Sequence, residues 1–433
     1  MKNSQTPALI IGGRVIDPKN RRDGFFDILV ENGKISKVEK NIKPAPNWNL
    51  IPAKGLWLFP GLIDAHVHLR EPGGETSETI ESGTRAAVNG GVTSLLAMAN
   101  TQPPIDSPQK VRFILKRAKE KASAKVYPVG AVTLGLEGKR IAPLEKMARA
   151  GARAFSDDGR CVMNSNILRL ALERSKKLGI PIIEHSEDEN LSAGGAINEN
   201  HTSKKLNLRG IPQESESIMV ARNIFLSKLT NAPLHCAHIS SKDSVKLLAM
   251  AKKKKIPVTS ETCPHYFTLT DKEVEKSGAL AKMKPPLRTE EDVETIKEGL
   301  SNGTIQIIAT DHAPHAAHLK RKPLSEAPFG IIGLETLFAL VYNELILKSV
   351  LSPMEAIALM TAAPAKIFNL PGGNFSEGSP ADIALFNPQE EWTARSKTFA
   401  SKSKNSPFIG RKFKGKIVAT LVDGRIVLCC TNL

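Results

Sequence analysis

Short apolar runs alternate with longer amphipathic segments through the middle of the chain. Each run ends in polar residues, and a segment with helical periodicity follows it. Eight such runs occur between about residue 58 and residue 370: Gly61–His68, Thr93–Asn100, Lys125–Thr133, Ala152–Asp158, Ile180–Ser186, Pro233–Ser240, Pro257–His265 and Thr304–His312. The following segments predict helices: Glu78–Asn89, Ser107–Lys121, Leu144–Ala150, Ser165–Leu178, Glu214–Leu229, Ser241–Lys254, Glu290–Asn302 and Gly333–Leu347. Eight strand–helix units in series predict a parallel (β/α)8 TIM-like barrel.

The two ends of the chain have a different pattern. Short alternating segments between Gly and Asn turns predict strands at Leu9–Val15, Phe26–Glu31, Lys34–Val38, Ala381–Phe386 and Gly415–Val427. Neither end is long enough for a stable sheet by itself, so we expect both to pair in one small composite β-sandwich domain. The predicted fold class is α/β, with residues 1–57 and 373–433 forming the small domain beside a barrel of residues 58–372.

Potentially reactive side chains stand at or just after the carboxyl ends of the predicted strands. They are His66, His68, Arg70, Asn100, the pair Asp157 and Asp158, His185, His238 and Asp311. In a barrel the carboxyl ends of all strands meet on one face, so residues distant in sequence are expected to share a pocket. Histidines scattered over surface helices would not have this distribution.

The first predicted strand carries the strongest indication of a metal site. His66 and His68 are two residues apart, which places both on one face of a strand. Two neutral imidazoles in that arrangement can chelate one ion, and they suit zinc. An isolated His-x-His would more often be a pair of ordinary buried histidines, but the histidines and aspartates at other strand ends favour the metal site. The spacing does not decide whether Asp157 or Asp158 would bridge two ions.

The segment Pro60–Gly73, with the sequence PGLIDAHVHLREPG, resembles the signature of the dihydroorotases within the amidohydrolase superfamily. The resemblance covers nearly the whole chain, through Ala327–Gly330 and Gly333–Thr336 to Lys416. It implies a barrel with a composite β-domain. It also implies a reversible, zinc-dependent conversion between (S)-dihydroorotate and N-carbamoyl-L-aspartate in pyrimidine biosynthesis.

Carried over position by position, the resemblance implies one or two zinc ions per chain and a set of site residues. The implied metal ligands are His66, His68 and Asp311 for a first ion, His185 and His238 for a second, and Asp158 between them. Asp311 would also be the catalytic group, moving a proton between the attacking water and the leaving nitrogen. The implied contacts to the substrate carboxylate are Arg70, Asn100, His315 and the backbone at Phe329 and Gly330.

One position departs from the resemblance. Lys284 precedes Pro285-Pro286-Leu287-Arg288, where these enzymes usually have an asparagine that contacts the substrate. A lysine at this position either meets the anionic substrate or points away from it. The sequence leaves both alternatives open.

Two other functions are compatible with this pattern. An allantoinase or hydantoinase would typically have a carboxylated lysine near Asp157 and Asp158, and allantoinases typically have Asn in place of Arg70. Glu261–Tyr266, however, resembles those enzymes as much as the dihydroorotases.

The second alternative is a non-catalytic barrel that serves as a scaffold for aspartate transcarbamoylase, although such homologues tend to lose metal histidines that are all present here. Activity that depends on that partner stays compatible with the sequence, and a homodimer is expected.

Composition matters mainly for what it excludes. The chain has 433 residues, a formal net charge of +16 and 5% aromatic residues. Its lysines and arginines are spread along the chain without aromatic platforms, so we expect a field that gathers anionic substrates and no nucleic-acid partner. No apolar run approaches the roughly 20 residues of a membrane span. The five cysteines lack disulfide or metal-binding spacing, which together with these features favours a protein of the cytoplasm without a membrane partner.

Overall fold

Eight parallel strands form a barrel in the computed structural model, which describes residues 6–430. In chain order the strands are Leu62–Val67, Val92–Ala97, Lys125–Gly130, Ala154–Phe155, Ile182–Glu184, Leu234–Cys236, Val258–Thr262 and Ile307–Ile308, and each pairs with the next. A bridge between Val67 and His312 brings the end of the last strand back to the first. The predicted barrel is confirmed, and its strands are shorter than the apolar runs from which they were predicted.

The helices follow the strands as the amphipathic pattern predicts. The longer ones are Ile80–Asn89, Pro108–Lys121, Leu144–Ala150, Ser165–Leu178, Glu214–Thr230, Lys242–Lys253 and Glu290–Ser301. Shorter helices are Glu189–Ser192, His201–Lys205, Glu273–Ser277, Ala317–Lys320, Pro353–Ala358 and Ala362–Ile367. Side-chain caps set several starts: Thr79 accepts from Ser82 N at 3.1 Å, as an N-cap hydroxyl does. Within residues 6–430, no helix combines the length and apolar character needed to cross a membrane.

The helix predicted over Gly333–Leu347 is present as helical turns over residues 334–346, but it is not a regular α-helix. The segment divides into a 3₁₀ turn (Leu334–Thr336), an α-helical turn (Leu337–Val341) and a π-helical turn (Tyr342–Ile346). Asn343 Nδ2 donates to the carbonyl oxygens of Ala339 and Lys414, both at 2.7 Å. A side chain that donates hydrogen bonds to backbone carbonyl oxygens competes with the regular hydrogen bonds of a helix. The apolar pattern of the sequence does not reveal this competition.

Both ends of the chain contribute to one separate sheet. Its strands are Ala8–Asp17, Arg22–Glu31, Lys34–Glu39, Asn49–Pro52, Trp57–Pro60, Ile383–Thr393, Lys412–Val422 and Arg425–Cys429. The ends meet where Ile383–Thr393 pairs antiparallel with Trp57–Pro60, so the expected pairing of the two ends is confirmed. The sheet extends to Pro60, while the domain divisions after residues 57 and 372 stay a prediction.

An ion-pair network joins the small sheet to the barrel. Lys125 Nζ lies 2.8 Å from Asp382 and 2.7 Å from Asp423. Burial by itself would lower the pKa of Lys125, but the two carboxylates raise it. Lys125 begins the third barrel strand, so this junction lies at the amino end of that strand. The opposite end of the barrel is left for the predicted site.

A second network fixes the carboxyl end of the barrel. The buried Asp64 carboxylate accepts from Thr310 N at 3.0 Å, from Thr310 Oγ1 at 2.6 Å and from His66 N at 3.2 Å. Burial raises the pKa of Asp64 to about 6 even though these hydrogen bonds act in the opposite direction. Asp64 therefore ties the first strand to the residue that precedes Asp311.

Candidate metal centre and substrate pocket

The predicted site residues converge on one cavity at the carboxyl ends of the barrel strands. Its volume of about 340 Å³ lies within the range of small-molecule sites. Of the residues predicted from the sequence, those that line it are His68, Arg70, Asn100, Asp158, His185, His238, Lys284, Asp311, His315, Phe329 and Gly330. The remaining one, His66, is fully buried and contacts Asp158 from within the barrel.

Two histidines and two aspartates form a first cluster. His66 Nε2 lies 3.3 Å from Asp158 Oδ1 and 3.8 Å from Asp311 Oδ1. His68 Nε2 lies 3.0 Å from Asp311 Oδ1 and 3.4 Å from Asp158 Oδ2. Ligand atoms around one tetrahedral zinc ion are roughly 3.3 Å apart, given the usual metal–ligand bond lengths. The spacing of this cluster therefore fits a single ion.

Asp158 also belongs to a second cluster. His185 Nδ1 and His238 Nε2 lie 2.9 Å apart, and Asp158 Oδ1 is 3.5 Å from the first and 3.4 Å from the second. Asp157 points elsewhere, since its Oδ1 accepts from Val132 N at 2.8 Å and from Thr133 N at 3.0 Å. The structure thus brings Asp158, and not its neighbour, between the two groups of histidines.

The carboxylates of these clusters create a demand for positive charge. Burial by itself would raise the pKa of Asp158, but the His66 charge and hydrogen bonds from His185 and His238 lower it well below its usual value. In return, burial would lower the pKa of His185, and hydrogen bonds with Asp158 and Glu187 raise it to about 9. The positive charge that these imidazoles gain on protonation therefore lies where a cation would be stabilised by the carboxylates.

His66 provides a direct test of whether a metal fits. Its Nε2 atom is fully buried and finds no hydrogen-bond partner among residues 6–430, although two carboxylate oxygens lie at ion-pair distance. A buried polar atom without a partner carries a desolvation cost of about 1–3 kcal/mol. A divalent cation at this nitrogen would remove that cost, and imidazole together with carboxylate is a normal donor set for one. The residues present therefore fit a metal centre.

Carboxylates that were not predicted from the sequence orient the imidazoles. His66 Nδ1 donates to Glu261 Oε1 at 2.7 Å, and Glu261 Oε2 accepts from His235 Nε2 at 3.1 Å. His185 Nε2 donates to Glu187 Oε2 at 2.8 Å. Such outer partners fix the tautomer and orientation of a ligating imidazole. Two features of the sequence could have indicated these carboxylates. Glu261 lies late in the seventh strand, and Glu187 follows His185 by two residues.

Asn100 contacts the first cluster as well as the cavity. Its Oδ1 accepts from His68 Nδ1 at 2.8 Å, and its Nδ2 lies 3.4 Å from Asp158 Oδ2. The resemblance implied only a contact with substrate. The structure adds a second role for this amide, which is to hold the His68 ring with Nε2 towards Asp311.

Arg70 and His315 lie together on another wall of the cavity. Arg70 Nε donates to Pro314 O at 3.1 Å, while its Nη2 lies 3.4 Å from His315 Nε2. His315 Nε2 donates to Phe329 O at 2.7 Å. Burial and the Arg70 charge lower the pKa of His315 to about 3, so this imidazole is neutral. His312 lies outside the cavity, where its Nε2 is 3.3 Å from Glu78 Oε2.

Lys284 lines the cavity with its ammonium group directed at a carboxylate. Lys284 Nζ lies 3.1 Å from Glu187 Oε1 and 5.5 Å from the centre of the Phe329 ring. The sequence left open whether Lys284 meets the substrate or points away from it, and the observed orientation combines parts of both. It stands at the substrate cavity, but its near partner is the carboxylate that orients His185.

A parallel barrel with two histidine–carboxylate clusters around one aspartate, at the carboxyl ends of its strands, defines a barrel enzyme with a candidate metal centre. A family model described as Dihydro-orotase-like matches residues 55–244. The chain is 48% identical over 415 residues to the dihydroorotase of Endomicrobium trichonymphae, covering 96% of this chain and 97% of that one. It is 47% identical over 420 residues to the dihydroorotase of Syntrophus aciditrophicus, covering 97% and 98%. The chain belongs to the dihydroorotase family.

The overall fold is also that of a solved hydrolase. The L-hydantoinase (dihydropyrimidinase) from Arthrobacter aurescens superposes with a TM-score of 0.90 at 24% identity, covering 99% of this chain and 97% of that one. At this level of identity the likeness concerns the fold alone.

Replacing Glu261 tests the orientation of His66. We expect Glu261→Gln to weaken metal binding about 10- to 100-fold, because loss of a charged outer partner commonly has that effect. The measurement is titration of the metal-free protein with zinc against a competing chelator. Glu298→Gln, at an exposed position on the helix Glu290–Ser301, is the matched control and should bind zinc like the unchanged chain. Equal affinities for both variants would contradict this role of Glu261.

Proposed function

We propose that this chain catalyses the reversible zinc-dependent conversion of (S)-dihydroorotate to N-carbamoyl-L-aspartate in pyrimidine biosynthesis. The observation that carries the proposal is that the partly buried guanidinium of Arg70 shares one cavity with both histidine–carboxylate clusters. The cavity thus combines a group that binds a small carboxylate with groups that hold metal. Membership of the dihydroorotase family supports the choice of substrate.

Arg70 is suited to hold the carboxylate of the substrate. Its Nε is occupied by Pro314 O, so the Nη groups remain to form a planar fork that matches a carboxylate. Burial lowers the pKa of Arg70, and the charges of Asp311, Asp158 and Glu78 act in the opposite direction. A cation that is partly removed from water is stabilised by a nearby opposite charge, so an anionic substrate at this position would be stabilised.

The metal ligands in this proposal are those implied by the resemblance. His66, His68 and Asp311 would hold a first zinc ion, His185 and His238 a second, and Asp158 would contact both. When bound, zinc supplies a Lewis acid for the ring carbonyl and lowers the pKa of water towards 7. Glu261, Asn100 and Glu187 would keep the imidazoles oriented throughout the reaction.

Asp311 is the group that we propose moves the proton. Burial by itself would raise the pKa of Asp311, but the hydrogen bond with His68 and the nearby imidazole charges lower it. It is therefore a carboxylate, which is the form that accepts a proton. In ring opening Asp311 would accept the proton from the attacking water and donate it to the leaving ring nitrogen, and in ring closure it would act in reverse.

Assembly and location are further parts of the proposal. A homodimer is supported by exposed apolar side chains on the helix Glu214–Thr230, where Ile218, Phe225 and Leu229 are 50%, 69% and 63% exposed. Such residues often mark association surfaces. Sedimentation of the purified chain, alone and with aspartate transcarbamoylase, distinguishes a dimer from a mixed complex.

The free buried thiols of Cys161, Cys236 and Cys263 support a reducing compartment such as the cytoplasm.

The function is tested by metal analysis combined with substrate comparison. Purified protein should contain about one to two zinc ions per chain, and chelation should abolish activity until zinc is returned. It should open dihydroorotate faster than hydantoin or allantoin, since Arg70 matches a carboxylate that the other two rings lack. Activity that survives complete metal removal, or a preference for hydantoin, would contradict the proposal.

Replacing Asp311 separates proton transfer from binding. Asp311→Asn keeps the shape and one oxygen donor but cannot accept a proton. We expect turnover to fall about 100- to 10,000-fold, the usual contribution of a general acid–base group, while zinc is retained. The measurement is kcat on dihydroorotate with zinc content determined on the same sample. A variant that holds full zinc and keeps most of its activity would assign the proton transfer to another group.

A further inference from the structure

Outer partners hold three of the four imidazoles in the clusters, as far as residues 6–430 show. Each partner binds the ring nitrogen that faces away from the cluster: Glu261 on His66, Asn100 on His68 and Glu187 on His185, at 2.7–2.8 Å. His238 Nδ1 is buried and finds no partner in the described part of the chain. The orientation of each held ring thus depends on a second residue.

Each outer partner is in turn held by a third group. The second oxygen of Glu261 accepts from His235 Nε2 at 3.1 Å, and the amide nitrogen of Asn100 lies 3.4 Å from Asp158 Oδ2. The second oxygen of Glu187 lies 3.1 Å from Lys284 Nζ. Lys284 therefore stands in the same relation to His185 as His235 does to His66.

We propose that Lys284 is a positioning residue that orients His185 through Glu187 and thereby stabilises the second metal position. The ammonium group binds Oε1 of Glu187 and leaves Oε2 on His185 Nε2. A ring with its proton on Nε2 alone would present an unprotonated Nδ1 towards Asp158 and His238. A ligating imidazole needs this tautomer. The inference rests on the proposed function, because it assigns part of the same metal centre.

Burial explains why Glu187 depends on Lys284. The Glu187 side chain is 5% exposed, and within the described residues no hydrogen bond reaches its Oε1. A buried carboxylate oxygen in this state is expensive without a nearby cation. Lys284 supplies that cation from a position that is 27% exposed. Without the ammonium group, this oxygen would lose its nearby cation, and Glu187 would be held less firmly in the orientation that binds His185.

The alternative role for Lys284 is direct binding of the substrate. Its Nζ lies 3.1 Å from Glu187 Oε1 and 5.5 Å from the centre of the Phe329 ring, and Lys284 also lines the cavity. The two roles differ in what they change. A positioning residue alters metal binding through Glu187, whereas a substrate contact alters KM and leaves metal binding unchanged.

A double-mutant cycle distinguishes the two roles. The variants are Lys284→Met, Glu187→Gln and their combination in the full-length chain, each titrated with zinc against a competing chelator. We expect each single variant to weaken the weaker zinc-binding step about tenfold or more. The combination should bind zinc no more weakly than Glu187→Gln alone, since an effect that passes through Glu187 is lost with it. KM for dihydroorotate should change little at saturating zinc.

Two further variants serve as controls. Lys205→Met, which breaks a lysine–glutamate pair with Glu275 on the exposed surface, should leave zinc binding and KM unchanged. If Lys284→Met does not fold, Lys284→Gln also removes the charge and should give the same loss of zinc affinity. A raised KM with both zinc steps unchanged would overturn the inference, and so would effects that multiply in the combined variant. Zinc binding is measured without substrate, so a chain inactive on dihydroorotate would contradict the proposed function without deciding this point.

Discussion

One buried carboxylate determines the arrangement of the site. Asp158 Oδ1 lies 3.3–3.5 Å from nitrogens of His66, His185 and His238, and Oδ2 lies 3.4 Å from His68. A charge buried this deeply needs close compensation, so all four imidazoles present a nitrogen to the same group. That requirement fixes which nitrogen of each ring faces inward. The outer residues Glu261, Asn100 and Glu187 then bind three of the four nitrogens that face outward.

The barrel makes this convergence possible, and its closure holds it in place. His66 and Asp311 come from the first and eighth strand ends, which meet only when the sheet closes. Asp64 makes that meeting specific, because its carboxylate binds both the backbone of His66 and the Thr310 side chain and backbone. Because Thr310 is thus held, Asp311 stays beside His68. The small sheet joins through Lys125 at the other end of the barrel, where it does not obstruct the cavity.

The sequence was informative where a single periodicity decided the outcome. Runs buried on both faces and ending in polar residues identified all eight barrel strands and the face on which the site lies. The sequence did not indicate which of two adjacent side chains faces the site. Asp157 and Asp158 follow the same strand, and only the backbone direction in the turn determines that Asp158 faces the histidines. Glu261 was missed because its partner His66 is 195 residues away. A carboxylate at a strand end looks ordinary until the fold supplies such a neighbour.

The two metal positions differ in the charge that surrounds them. The first has Asp158 and Asp311 within reach. Glu261 lies behind it, and its ion-pair partners within residues 6–430 are two imidazoles, with no ammonium or guanidinium group. The second shares Asp158, and the carboxylate behind it, Glu187, is paired with the Lys284 ammonium. Opposite charges at 3.1 Å largely cancel at the distance of the cluster, so Glu187 contributes less negative charge to the second position than Glu261 contributes to the first. A cation at the second position gains less from its outer carboxylate, and its binding depends correspondingly more on the orientation of His185.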